Sequence, residues 1–134
     1  MKKIIAGTIT YILVSFIVQA VSHFAINQSH YASISFIKQE PILWMGVLTM
    51  VIQGALLSHL YTYYCQGDST AKKGLIFGLM TGLILVSYIA LVEPSKYDVP
   101  SVSSWITVEG IAGIVQFSLF GILLGLLFRT KKQI

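Results

Sequence analysis

The residue with the clearest chemical potential in this sequence is Glu109, a carboxylate near the start of a long apolar segment. The segment 105–128 carries that single formal charge. At ~1.5 Å per helical residue, it is long enough to cross a bilayer core of ~30 Å. A carboxylate at that depth is costly unless it faces a bundle interior, water or a partner. Glu109 is therefore the first candidate for binding a ligand or a proton.

Three further polar residues are predicted to lie at the depth of Glu109, near the outer ends of the first and third helices: Gln19, His23 and Glu93. Two carboxylates, an imidazole and an amide can hold a cation, relay a proton or bind a polar head group. The alternative is that Glu109 is protonated, or paired with one of these neighbours, and only fixes the helix register. The sequence leaves both interpretations open.

Two amides are predicted near the middle of the membrane. Gln116 follows Glu109 by seven residues and so shares its helical face. Gln53 lies ~18 Å along its helix from Pro41, at a depth close to that of Gln116. A buried amide needs a partner, so we expect Gln53 and Gln116 to pair between the second and fourth helices. Both are included in the predicted ligand or proton site.

The sequence gives weak support for an enzyme, a metal site or a haem site. His23 and His59 are predicted near opposite leaflets of the membrane, too far apart to ligate one iron. Cys65 is the single cysteine, and no Cys-x-x-Cys or His-x-x-x-His spacing occurs. The serines lack an adjacent base. We therefore expect no catalytic residue, no metal and no cofactor, and an enzyme is the less favoured class.

These residues must be positioned by helices, because the composition is that of a membrane protein. Hydrophobic residues make up 55% of the 134 residues and charged residues only 10%, which is too apolar for an ordinary soluble domain. Four apolar runs each approach the ~20 residues that a spanning helix needs. The first run lacks a signal-peptide cleavage site, so we expect it to be retained. The prediction is an all-α integral membrane four-helix bundle, a single transmembrane domain over 1–134, with helices at about 4–24, 42–65, 74–93 and 103–128.

The basic residues predict the orientation of the bundle. In a four-helix arrangement most of them fall on one side, which the positive-inside rule assigns to the cytoplasm: Lys2, Lys3, Lys72, Lys73, Arg129, Lys131 and Lys132. Both termini are then cytoplasmic. The net charge of +4 follows from this topology, and no basic run indicates nucleic acid. The expected partners are the lipid bilayer and either a second copy or a larger membrane protein.

Small residues predict close packing between helices. Gly74, Gly78 and Gly82 recur every four residues in the third helix, and Gly121 and Gly125 have the same spacing in the fourth. Such spacing lets two backbones approach closely. The neighbour of the third helix is either the first or fourth helix of the same chain or a second copy, and the motif does not decide between them.

A polar stripe and a long loop are expected to border the site. The first helix carries polar residues at intervals of three and four, so one polar face should point into the bundle: Thr8, Tyr11, Ser15, Gln19 and Ser22. The loop 25–40 is expected either to cap the mouth of the bundle or to lie flat in the head-group region.

Several of these motifs resemble those of a set of small four-helix bacterial membrane proteins to which no activity is assigned. The likeness rests on Gln53-Gly54 in the second helix, the glycine series in the third, and the run in the fourth from Trp105-x-x-x-Glu109 through Gln116-Phe117 to Gly121-x-x-x-Gly125. It covers most of the chain from Pro41 onward. The resemblance implies a four-helix fold and a location in the bacterial inner membrane, but no activity.

The function predicted from these observations is that of a small multi-pass membrane protein with an outward-facing polar pocket around Glu109. The pocket would bind or pass a small solute or a proton, as a transporter does. The alternative is a structural or accessory subunit of a membrane complex, with no activity of its own. In that case Glu109 would pair with the partner.

Overall fold

The computed structural model describes residues 1–38 and 40–129, and they form a bundle of helices. The first and the third long segments each contain a π-helical turn, Ser22–Ile26 at the end of the first and Tyr88–Val92 within the third. The helices are α1 (Lys2–Val21), α2 (Gln28–Ala32), α3 (Leu43–Cys65), α4 (Ala71–Ser87), α5 (Glu93–Lys96) and α6 (Val102–Leu127).

Four continuous helical segments are long and apolar enough to span a membrane. Their mean hydropathies range from 1.5 to 2.4, and they are Lys2–Ile26, Leu43–Cys65, Ala71–Lys96 and Val102–Leu127. The predicted all-α class and the number of membrane-length helices are thus confirmed within the described residues. The first and third segments extend past the predicted ends at 24 and 93, because the π-turns carry the helical path further.

The long helices pack in the order α3, α1, α6, α4, with the closest contact between α4 and α6. Consecutive long helices run in opposite directions, so the bundle has two distinct ends. We call the end that carries Tyr31 the Tyr31 end, and the end that carries Lys3 the Lys3 end. At the Lys3 end, Lys3 Nζ donates to the backbone oxygen of Phe128 at 2.9 Å, which ties the start of α1 to the end of α6. Lys131 and Lys132, used above to predict orientation, lie outside the described residues.

The contact between α4 and α6 is made by glycines on both helices. A side chain at Gly74 would collide with the backbone oxygen of Gly121, and one at Gly78 with the backbone oxygen of Phe117. Gly125 meets the backbone of Thr70 in the same way. The neighbour of the third long helix is therefore the fourth long helix of the same chain. Residues without a side chain let these two backbones touch.

An aromatic core fills the space between α1, α3 and α6. Tyr11 is 1% exposed and packs edge-on against Phe120, with ring centroids 4.9 Å apart. Nearer the Lys3 end, Tyr61 packs edge-on against Phe77 of α4 and Phe128. The Tyr61 hydroxyl lies 2.9 Å from Ser69 Oγ, which in turn donates to the backbone oxygen of Gly125. This core holds the Lys3 half of the bundle together.

The segment after α1 folds back over the Tyr31 end instead of leaving the bundle. Ile34 is buried at 4% exposure, and the ring of Phe36 lies against those of Trp105 and Tyr97. His30 Nδ1 is 3.0 Å from the hydroxyl of Ser104 on α6. Residues 28–37 therefore form a cap, which we call the cap segment.

Candidate functional site

Glu109 faces the inside of the bundle at the Tyr31 end, where its partner is Tyr31. The Tyr31 hydroxyl donates to Glu109 Oε1 at 2.8 Å. Glu109 lies about two turns into α6, whose first turn is capped by Ser101 through the Ser104 amide. The carboxylate is half-buried. A phenol and a carboxylate from segments 78 residues apart in sequence thus join the cap segment to α6.

The pKa of the Tyr31 hydroxyl is raised above its ordinary value. The main cause is burial, which disfavours the phenolate, and the nearby carboxylate of Glu109 adds to the rise, while a hydrogen bond with Ser22 opposes it. The hydroxyl therefore keeps its proton at neutral pH and remains the donor to Glu109. Sequence reasoning missed Tyr31 as a site residue, because nothing in its spacing links a loop tyrosine to α6.

The ring of His23 packs against the ring of Tyr31. The two rings stack with centroids 3.5 Å apart and an angle of 12° between their planes. His23 lies in the π-turn, and its Nδ1 is 3.0 Å from the backbone oxygen of Gln19. Because a carbonyl can only accept, Nδ1 carries the hydrogen, and in the neutral ring Nε2 is then the nitrogen that accepts a proton. His23 thus positions Tyr31 and does not itself touch Glu109.

Below Glu109, amides join α1 to α6. Gln19 Nε2 donates to Gln116 Oε1 at 3.0 Å, and Gln116 Nε2 donates to Ser15 Oγ at 2.9 Å. Gln116 is 7% exposed and Ser15 2% exposed, so the hydrogen bond between them is buried, while the bond between Gln19 and Gln116 is partly buried. The polar face of the first helix does point into the bundle, as its spacing predicts.

The predicted pair between Gln53 and Gln116 is wrong. Gln53 Oε1 instead accepts from the Tyr11 hydroxyl at 2.6 Å, while Gln116 is engaged by Gln19 and Ser15. The two amides do lie at similar depth, as expected from their positions. However, α1 lies between α3 and α6, so the amides find partners on that helix instead of each other.

The predicted polar residues surround a small cavity of about 80 Å³. A water molecule takes up ~30 Å³ in the liquid, so the cavity has room for about two or three waters or a small organic group. The residues that line it are of two kinds. The polar ones are Tyr11, Gln19, Gln53, Glu109 and Gln116, and the others are Leu85, Val86, Ile89, Gly113 and Phe117.

Glu93 lies near this cluster without lining the cavity. It is the first residue of α5, follows the second π-turn and is half-buried. Its carboxyl is close enough to Glu109 for a repulsive charge interaction. The structure therefore brings Glu109, Gln19, Gln53 and Gln116 to one cavity, places His23 behind its cap, and leaves Glu93 at the edge.

The described residues contain no group of three or more His, Cys, Asp or Glu side chains that could hold a metal ion. The chain was also compared with protein-family models, with curated proteins and with solved structures, and none of these comparisons found a match. The geometry of the cavity is thus the basis for any functional conclusion.

Proposed function

We propose that this protein is a multi-pass membrane protein that binds a small cationic solute, in competition with a proton, at the cavity beside Glu109. The topology that we propose follows the positive-inside rule, with both termini in the cytoplasm of a bacterium and the Tyr31 end facing outward across the inner membrane. The observation that carries the proposal is the charge of the cavity lining.

That lining favours a cation over an anion. Glu109 is the one carboxylate among the described residues that line the cavity, and none of them is Lys, Arg or His. The amide oxygens of Gln19, Gln53 and Gln116 and the Tyr11 hydroxyl add acceptors. Carboxylate and amide oxygens suit ammonium groups and hard cations. An anion would find no opposite charge there, and a neutral solute would leave Glu109 uncompensated.

The position of Glu109 makes cation binding and proton binding exclusive. A carboxylate in apolar surroundings is costly when charged, so it either takes up a proton or holds a counter-charge. The hydrogen bond from Tyr31 offsets part of that cost and leaves the second carboxylate oxygen for a ligand. A bound cation would therefore occupy the place at Glu109 that a proton would otherwise take.

Thermal unfolding of the purified protein in detergent tests this proposal. Methylammonium chloride is the probe, and sodium chloride at the same ionic strength is the reference. We expect methylammonium to raise the melting temperature of the native protein. Glu109→Gln should abolish the shift, because it removes the charge and keeps the shape of the side chain.

Asp98→Asn is the matched control, since Asp98 is an exposed carboxylate in the loop before α6 and lies outside the cavity lining. It should keep the full methylammonium shift. An equal shift in native protein and in Glu109→Gln, or no difference between methylammonium and sodium in the native protein, would refute cation binding at Glu109.

The accessory-subunit alternative has one observation in its favour. Every residue in 41–49, which includes the start of α3, is exposed, so this part of α3 is open to a partner. The glycine stripe no longer supports this alternative, because α6 of the same chain already covers it. Purification in a mild detergent tests it, since a subunit of a complex should elute with a stoichiometric protein partner.

A further inference from the structure

We infer that the ligand of the Glu109 cavity is an amphiphile with a single cationic head group, which enters from the lipid between α3 and α4. This inference rests on the proposed function and adds the class of the ligand and its route. Three features carry it: the gap between the two helices, the closed end of the bundle, and the two-sided chemistry of the cavity.

The gap arises because α3 and α4 meet only towards the Lys3 end. There Phe77 of α4 packs against Tyr61 and Tyr64 of α3, with ring centroids 5.1 and 5.4 Å apart. Towards the other end, the residues 41–49 are exposed on all sides, and Gly46 has no atom within 4 Å of where its side chain would begin. The two helices therefore diverge towards the Tyr31 end.

The cavity lies where the two helices have separated. Gln53 comes from α3, whereas Leu85 and Val86 come from α4 and Ile89 from the π-turn that follows it. The neighbouring residues Ile84 of α4 and Tyr88 of the π-turn are 72% and 55% exposed, so this side of the helical segment is open. A molecule in the surrounding lipid would reach Gln53 and the cavity through the gap without moving a helix.

The route along the bundle axis is closed by the cap segment. Tyr31 is bonded to Glu109 and stacked on His23, and Ile34 of the same segment is buried. His30 is joined to Ser104 of α6. A solute arriving from that end would have to break these contacts, whereas the lateral route leaves them intact.

The chemistry of the cavity matches a molecule with two unlike parts. Glu109 and the amide oxygens suit a compact cationic head, and the volume of about 80 Å³ limits the size of that head. The apolar residues of α4 lead outward from the cavity to the gap, where an alkyl tail would pass into the lipid. A cation without a tail would gain nothing from that apolar wall.

Thermal unfolding in phosphatidylcholine nanodiscs tests this inference, with decylammonium compared with methylammonium. Each buried CH₂ tightens binding about fourfold, so decylammonium should give the same stabilisation at a concentration more than about tenfold lower. Glu109→Gln should abolish that effect. Decanol and decanoate, which share the tail, should give shifts that are equal in the native protein and the variant.

Three outcomes would overturn the inference. If the two ammonium ions were equally potent and both effects depended on Glu109, the roles proposed for the tail and the lateral route would be refuted, but cation binding at Glu109 would stand. No Glu109-dependent effect of either ion would refute the proposed function as well. Efficient disulfide-linked dimers of Gly46→Cys at a low protein-to-lipid ratio would show that a second copy covers the gap.

Discussion

The two sides of α6 hold the bundle together by opposite means. Towards α4, Gly121 and Gly125 bring the two backbones into direct contact. Away from α4, Gln116 bonds to Gln19 of α1 and Glu109 bonds to Tyr31 of the cap segment, and a cavity lies beside these side chains. One helix thus has a tightly packed side and a side with free volume.

This difference separates the structural role of α6 from the binding role that we propose for it. A contact between backbones leaves no room for change, so it fixes the distance between α4 and α6. Hydrogen bonds between side chains can be exchanged for bonds to a ligand at modest cost. The rigid α4–α6 pair therefore serves as the wall against which α1, α3 and the cap segment can adjust.

The largest effect is expected from a side chain placed in the glycine contact between α4 and α6. In Gly78→Val the new atoms would meet the backbone of Phe117 and Gly121, which cannot move aside without separating the helices. We expect the free energy of unfolding to fall by about 3 kcal/mol, at the upper end for overpacked cores. Titration with sodium dodecyl sulfate in mild detergent micelles measures it.

Gly46→Val is the matched control for that experiment. It makes the same change in another membrane-length helix, but at a position with open space around it. Its free energy of unfolding should stay within about 0.5 kcal/mol of the native value. A similar loss in both variants would mean that the cost lies in helix propensity and not in the α4–α6 contact.

Removal of the Gln116 amide tests the polar side. Gln116→Leu would leave Gln19 Nε2 and Ser15 Oγ without the partners that they now have, so we expect a loss of about 1–2 kcal/mol. In a double-mutant cycle with Gln19→Leu, the coupling energy should be about 0.6–1.7 kcal/mol. Gln28→Leu, at an exposed position in α2, is the control for the loss of an amide. A coupling energy near zero between Gln116→Leu and Gln19→Leu would contradict the hydrogen bond between the two amides.

The helices and the glycine contact were predictable from the sequence because both depend on local pattern. Apolar runs of sufficient length mark the four membrane-length helices, and the interval of four between Gly74, Gly78 and Gly82 marks a face for close packing. That interval does not show which helix is the neighbour. The structure shows that it is α6, because Gly74 and Gly78 contact Gly121 and Phe117.

For the polar side of α6, the sequence predicted the depth of the side chains in the bundle but not their hydrogen-bond partners. Positions along the helices place Gln53 and Gln116 at one level, yet the order of helices around the bundle decides that Tyr11 and Gln19 are their partners. The role of Tyr31 could not be predicted for another reason. Tyr31 belongs to a loop with no periodic pattern, and its role depends on a fold-back that brings it to Glu109.

The smallest expected effect concerns the pH dependence that Tyr31 contributes. Its pKa is raised in the folded protein, whereas in the unfolded chain a tyrosine titrates near pH ~10. The contribution of Tyr31 to stability is therefore fully present below about pH 10 and is lost as the pH rises above it. By pH 10.5 the loss should reach up to about 0.8 kcal/mol, and less where water screens the half-buried ring.

Unfolding of native protein and Tyr31→Phe at pH 8 and pH 10.5 isolates this contribution, because other tyrosines and the lysines titrate alike in both. At pH 8 the variant should be the less stable of the two, since Glu109 has lost a donor. By pH 10.5 the difference in stability between the two proteins should be smaller. A difference that does not change between the two pH values would mean that the phenol of Tyr31 ionises no later in the folded protein than in the unfolded chain. In that case the cap segment would be open to water, and the bundle axis, not the α3–α4 gap, would be the easier route to Glu109.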